Sequence, residues 1–208
     1  MLSNIFDHQA TNYANSREFL GVAVLEVNLR MSEKRKSIAI DMDGVIADTA
    51  QQFLNWYEMK TGIRLTKKDI HGKTELEALP NQVARQFVYE PGFFRSVPVM
   101  GGAREAVIEL MKHFDVYIVS AAMEFPQSLP EKYEWLREHF PFITWNNIIF
   151  CGDKSIIGTD FMIDDHVKNL DRCKGRPFLF SAGHNVHIAH HTRVNDWSEA
   201  VALLKSEC

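Results

Sequence analysis

Residues 38–49 read Ile38-Ala39-Ile40-Asp41-Met42-Asp43-Gly44-Val45-Ile46-Ala47-Asp48-Thr49, and in them a short apolar run stops abruptly at two carboxylates. The run is too short for a helix and rich in β-branched side chains, so it predicts a buried strand following the basic patch Lys34-Arg35-Lys36. Asp41 and Asp43 fall at the strand's carboxyl end, the side of an open parallel sheet where ligands bind. Residues two apart on extended backbone point the same way, so both acids can face one ligand. Gly44 supplies the backbone freedom for a sharp turn. An isolated Asp-x-Asp is often just a pair of turn formers. Here the apolar run before it and Gly-Val-Ile-Ala-Asp-Thr after it make the motif much longer.

Further along, the same grammar recurs. Val116 to Val119 predicts a second core strand ending at Ser120-Ala121-Ala122, where a hydroxyl and free backbone N–H groups can cradle an anion. Ile148 to Phe150 predicts another strand, followed by Cys151-Gly-Asp-Lys154. Phe161-Met-Ile-Asp164-Asp165-His166 is the second strong signal: an apolar strand again ends in two acids, and as a parallel neighbour of the first it would bring them to one crevice. Phe178-Leu-Phe reads as a last strand. Helices are expected over Arg104–His113 and Pro130–Phe140, with a final one from about Arg193 capped by Asp196 or Ser198.

Between Thr49 and Phe94 the period turns helical. Phe53, Leu54, Trp56 and Tyr57 recur at i, i+3, i+4 spacing up to Thr61-Gly62, and Val83, Phe87 and Val88 mark another run. The segment interrupts the strand–helix alternation. It therefore reads as a helical insertion over 49–94, with the core formed by 31–48 and 95–208. Residues 1–30 read as an extension without a signal-peptide pattern, and Met31 as a natural start.

Composition sets bounds. Hydrophobic residues at 46% and charged residues at 24% are ordinary for a globular chain, and no apolar run reaches the roughly 18 residues of a membrane span. A net charge of −4 argues against a broad surface for nucleic acid polymers. Cys151, Cys173 and Cys208 lack paired spacing and read as free thiols in a reducing cytoplasm. His184, His187, His190 and His191 cluster without a Cys or acid at recognised zinc spacing, so a surface loop is the better reading. Oligomeric state is left open by the sequence, with a homodimer compatible.

The four motifs, in order from Asp41 to Asp165, resemble those of the haloacid dehalogenase (HAD) superfamily of phosphohydrolases. Within it the chain looks like the 5′(3′)-deoxyribonucleotidases, through Asp-x-Asp-Gly-Val-x-Ala-Asp, the segment Pro130-Glu-Lys-Tyr-Glu-Trp-Leu and the run from Asp153-Lys154 to Ile163-Asp-Asp. The resemblance implies an α/β doubly wound, HAD-like (Rossmannoid) parallel sheet with a small helical cap after the first motif. It implies Asp41 as nucleophile, Asp43 as general acid and base, and phosphate contacts from Ser120, Ala121 and Lys154. Two carboxylates facing a phosphate need a cation; Mg²⁺ suits oxygen ligands and is expected on Asp41, Asp43 and Asp165, with Asp164 beside it or exchanging roles with Asp165. The implied substrate is a small phosphomonoester, a nucleoside monophosphate first. Gly72-Lys73-Thr74-Glu75 stands where family members carry cap aromatics, which leaves a sugar phosphate as rival substrate and a non-catalytic nucleotide binder as rival class.

Overall fold

The computed structural model describes residues 35–207; the extension 1–30, the start at Met31 and the thiol of Cys208 lie outside the described residues. In chain order the elements are β1 (Ser37–Asp41), α1 (Thr49–Thr61), α2 (Glu75–Ala78), α3 (Val83–Phe87), α4 (Ala103–Leu110), β2 (Asp115–Ser120) and α5 (Leu129–His139). Then come β3 (Ile148–Phe150), β4 (Phe161–Asp164), α6 (Val167–Leu170), β5 (Arg176–Phe180), β6 (Thr192–Val194) and α7 (Trp197–Lys205).

The six strands form one sheet in the order β3-β2-β1-β4-β5-β6, with every pairing parallel. Strand order reverses between β1 and β4, which makes the crevice beyond their carboxyl ends the natural ligand site. Register places Ile40 beside Ile163, so Asp41 and Asp164 each follow one residue later on neighbouring strands.

Alternation along β1 shows why the sheet is covered on both faces. Ile38 and Ile40 pack into a large cluster with Leu110, Trp135, Phe178 and Trp197, whereas Ala39 faces the other side with Val119, Met162 and Leu179. Both indole N–H groups of the larger cluster are satisfied, Trp135 donating to the Val97 carbonyl at 2.7 Å and Trp197 to that of Val45 at 3.1 Å. A third cluster belongs to the 49–94 segment and its return: Tyr57, Leu79, Ala84, Phe87, Val88, Phe93 and Phe94. Helix α1 starts on the Asp48 side chain, which accepts from Gln51 N–H, and ends at Gly62 in the left-handed conformation.

Two expectations need correction. Phe178–Phe180 is not the last strand, because Thr192–Val194 adds a sixth at the sheet edge. That strand is three residues long and buries only Val194, so it carries no readable alternation. The helix expected to run to His113 is regular only over Ala103–Leu110. The final helix is capped by Asp196, whose side chain accepts from Glu199 N–H at 2.8 Å, and not by Ser198.

Candidate active site

Asp41 closes β1 and is almost fully buried. Its Oδ1 accepts from the Met42 backbone N–H at 2.7 Å and lies 2.5 Å from Lys154 Nζ. Lys154 is also buried and reaches Asp164 Oδ2 at 2.7 Å, so one ammonium clamps the ends of β1 and β4 together. Asp164 is saturated: Oδ1 accepts from His166 N–H at 2.8 Å, and Asn169 Nδ2 lies 3.0 Å from both oxygens.

Asp165 differs from its neighbour. Its backbone carbonyl accepts from Asn185 Nδ2 at 2.8 Å and sits 3.1 Å from His184 Nε2, but its Oδ1 is buried without a hydrogen-bond partner. Gly44, at φ +77°, packs directly against this carboxylate; a Cβ there would fall 2.1 Å from Asp165 Oδ2. The glycine of the first motif thus provides both the turn and the room for the last.

Asp43 is part-exposed. Its Oδ2 accepts from Ser120 Oγ at 3.2 Å and forms an ion pair with Lys132 on α5, while Oδ1 is buried and unpartnered. Lys132 Nζ also donates to Ser120 Oγ at 3.2 Å and lies 4.6 Å from the centre of the Phe94 ring. Ser120 therefore has its hydroxyl committed to Asp43 and Lys132, and Ala121 and Ala122 are the parts of that strand end that line the open space.

Charge in the cluster is unbalanced. Burial first, then the Asp164 charge, push the Asp41 carboxyl up to about 7 against the pull of Lys154. Burial, followed by Asp41 and Asp164, raises Asp165 well above the ordinary carboxylate range. Burial alone would depress Lys154, but Asp41 and Asp164 outweigh it and hold the ammonium charged. Both members of the Asp41–Lys154 pair shift upward because several carboxylates share one cation. Oxygens of Asp41, Asp164 and Asp165 lie within 4.8 Å of one another, an all-oxygen donor set with surplus negative charge and an orphaned Oδ1. That set fits a hard divalent cation. The Asp43 carboxylate is not part of this group; it belongs to the Lys132 side of the site.

His166 stacks on His184 with ring centres 4.5 Å apart, and burial, then His184, push its imidazole down to about 4. It is a neutral wall beside the carboxylate cluster.

Asp41, Asp43, Lys132 and Lys154 open onto a cavity of about 450 Å³. Among the aromatics of the helical segment, Phe53, Tyr89, Phe93 and Phe94 line it, whereas Tyr57 and Phe87 are packed in the cluster behind with Trp56 against them. Thr74 and Glu75, read from the sequence as replacing aromatics of the resembled family, line the cavity, and Phe125 adds an aromatic from the core side, edge-on to Tyr89 at 5.7 Å.

The sequence reading missed Lys132, Asn169, Asn185, His184 and Phe125. For Lys132 a signal existed: it stands three and four residues before the buried Trp135 and Leu136, on the inward face of α5, where a lysine needs a partner. Its neighbour Glu131 accepts from the backbone N–H groups of Gly92, Phe94 and Arg95 at 2.6, 3.1 and 3.0 Å, so α5 also fixes the return of the helical segment.

Comparison with known proteins gives the family and the fold. Residues 35–207 match the model of the family described as 5′ nucleotidase, deoxy (Pyrimidine), cytosolic type C protein. A Bacillus subtilis protein named 5′(3′)-deoxyribonucleotidase is 39% identical over 167 residues, covering 79% of this chain and 96% of the relative. A Staphylococcus aureus relative, provisionally named for the same activity, is 40% identical over 167 residues, 79% of this chain and 93% of its own. Among solved structures, a HAD family hydrolase from Deinococcus radiodurans with bound phosphate and sodium superposes at a TM-score of 0.55. It is 15% identical and covers 83% of this chain and 96% of that one. At that identity the likeness shows the fold.

Proposed function

The chain belongs to the 5′ nucleotidase, deoxy (pyrimidine), cytosolic type C family within the HAD-fold hydrolases, and from that premise we propose that it is a Mg²⁺-dependent phosphomonoesterase. Its substrates are (deoxy)nucleoside 5′- or 3′-monophosphates, hydrolysed through an aspartyl-phosphate on Asp41. The observation that carries the reading is the pairing of roles at the end of β1. Asp41 Oδ1 is fixed by Lys154 and the Met42 N–H, and Asp43, two residues on, is held by Lys132 and Ser120 at the same aromatic-walled cavity.

Fixing Oδ1 leaves Oδ2 of Asp41 to attack phosphorus. The P–O bond to the sugar breaks as the Asp41 O–P bond forms, and Asp43 passes a proton to the departing alkoxide. Asp43 then takes a proton from water as that water attacks the aspartyl-phosphate, which releases phosphate and restores Asp41. Lys154 holds Asp41 in place and offsets its repulsion of the incoming dianion. Asp41 and Asp165 would hold Mg²⁺, with Asp164 positioned behind them by Lys154 and Asn169; when bound, the ion polarises the phosphoryl oxygens and neutralises charge. We propose residues 49–94 as the cap, excluding water and presenting Phe53, Tyr89 and Phe94 to the nucleoside.

The test is phosphate release from 5′- and 3′-deoxyribonucleotides, ribonucleotides and sugar phosphates, with and without Mg²⁺. Deoxyribonucleotide turnover that needs Mg²⁺ and falls by about 10³-fold or more in Asp41→Asn is expected. A preference for sugar phosphates would discard the nucleotidase reading, and turnover that persists in Asp41→Asn would discard the nucleophile.

A further inference from the structure

Away from the cavity, two histidines and an aspartate converge on one point. Asp171 directly follows α6, and His190 and His191 directly precede β6. Nε2 of His191 lies 2.8 Å from Asp171 Oδ1, and Nε2 of His190 lies 3.1 Å from the same oxygen. The two rings are 4.3 Å apart, and donor atoms of all three residues fall within 4.8 Å of one another. The His191 side chain is only 9% exposed, whereas Asp171 is 50% and His190 57% exposed, so the group is anchored on one side and open to water on the other. The remaining histidines of this segment go elsewhere: His184 faces Asp165, and His187 lies against Gly72.

The geometry points to a second metal site, made by His190 Nε2, His191 Nε2 and the Asp171 carboxylate, for a borderline transition-metal dication such as Zn²⁺. Two imidazoles with one carboxylate select such ions over Mg²⁺, which favours oxygen alone. Bond lengths of about 2.0–2.2 Å in a tetrahedral zinc site put neighbouring donors about 3.3 Å apart. The nitrogens already stand 2.8 and 3.1 Å from the oxygen, close to that spacing, and loading requires both rings to carry their protons on Nδ1 so that each Nε2 offers a lone pair. Water completes the open side. The sequence could not show this, because the acid that joins the histidines lies 19 and 20 residues before them.

The site also has a structural consequence. Asp171 and the two histidines bracket the loop whose Asn185 and His184 contact the Asp165 carbonyl. Arg193, just beyond, holds the carbonyls of Asn185 and Ile188 at 2.9 and 2.7 Å. An ion at the triad therefore ties together the segment that backs the active-site cluster.

Zinc titration of the full chain by calorimetry, in excess Mg²⁺ at neutral pH, tests this. One Zn²⁺ per chain is expected. His190→Ala and Asp171→Asn should each weaken it about 10-fold or more, and His187→Ala should leave it unchanged. Because His190 is exposed, its variant is expected to keep the fold, and Co²⁺ should give visible absorption bands in the wild type that vanish in it. No Zn²⁺ bound at about 100 µM, or binding that survives both triad substitutions, would overturn the assignment.

Discussion

Lys132 is held as tightly as any residue of the site, and its position decides how Asp43 works. A buried ammonium flanked by Asp43, Ser120 and the Phe94 ring keeps Asp43 aimed at the cavity and would offset part of the acidic charge facing the proposed phosphate substrate. Removing one preorganised charge from such a place typically lowers kcat about 10²–10³-fold. Lys132→Met is therefore expected to lose that much kcat with its Mg²⁺ affinity unchanged, because Lys132 does not touch the Asp41–Asp164–Asp165 group. Steady-state kinetics alongside Mg²⁺ titration checks it. Lys132→Arg should not rescue, since the longer, planar guanidinium cannot occupy the same buried place and reach Asp43 and Ser120 as the single Nζ does. Gly44 gives the complementary case. A methyl group would strike Asp165 Oδ2 and sit at φ +77°, so Gly44→Ala should displace the carboxylate and weaken Mg²⁺ affinity about 10–100-fold. A wild-type Mg²⁺ titration in that variant would contradict the packing argument.

At the scale of elements, the aromatic wall comes from several pieces of chain that the fold brings together. Phe53 rides on α1, Tyr89 follows α3, Phe93 and Phe94 lie on the return, and Phe125 follows β2. Tyr89 is 54% exposed and meets Phe125 edge-on, which suits it to stack on a base and contribute little to folding. Stacking is worth about 1–3 kcal/mol per base, so Tyr89→Ala should raise KM for deoxyribonucleotides about 10-fold or more and leave turnover of glycerol phosphate nearly unchanged. Equal losses on both substrates would place Tyr89 in the scaffold and not in recognition. This wall was only half legible in the sequence. Helical spacing picks out aromatics but does not say which side of a helical segment faces its own cluster and which faces a cavity. The strands β1, β2 and β4 were legible because they are apolar runs ending in acids or a hydroxyl, while β6, at the edge with one buried side chain, was not. Lys132 was obscure for a different reason: a lysine on a helix reads as solvated until its partner, 89 residues away in the chain, is seen.

At the scale of the whole molecule, the sheet gathers Asp41, Asp164 and Asp165 at its strand ends, buries them and gives them one buried ammonium in return, so folding and the proposed metal binding would be linked. Asp41 rises from the ordinary carboxylate range to about 7 on folding, and Asp165 shifts the same way. A group whose pKa is raised by folding stabilises the fold while it is protonated, most fully below the ordinary carboxylate range. That contribution is lost as pH climbs through about 7. The metal-free protein should therefore lose stability over that window. In the proposed mechanism Mg²⁺ needs ionised ligands, so at low pH it would displace protons from both Asp41 and Asp165, and its apparent affinity should rise by up to about 10-fold per pH unit for each proton displaced. The expected outcome is a Tm increase on adding Mg²⁺ that is clearly larger at pH 8 than at pH 5.5 and is largely absent in Asp165→Asn. Scanning calorimetry at the two pH values measures it directly. An equal increment at both would mean that the carboxylates are already ionised without the metal, and that the surplus charge read from their burial is neutralised by some other group in the crevice.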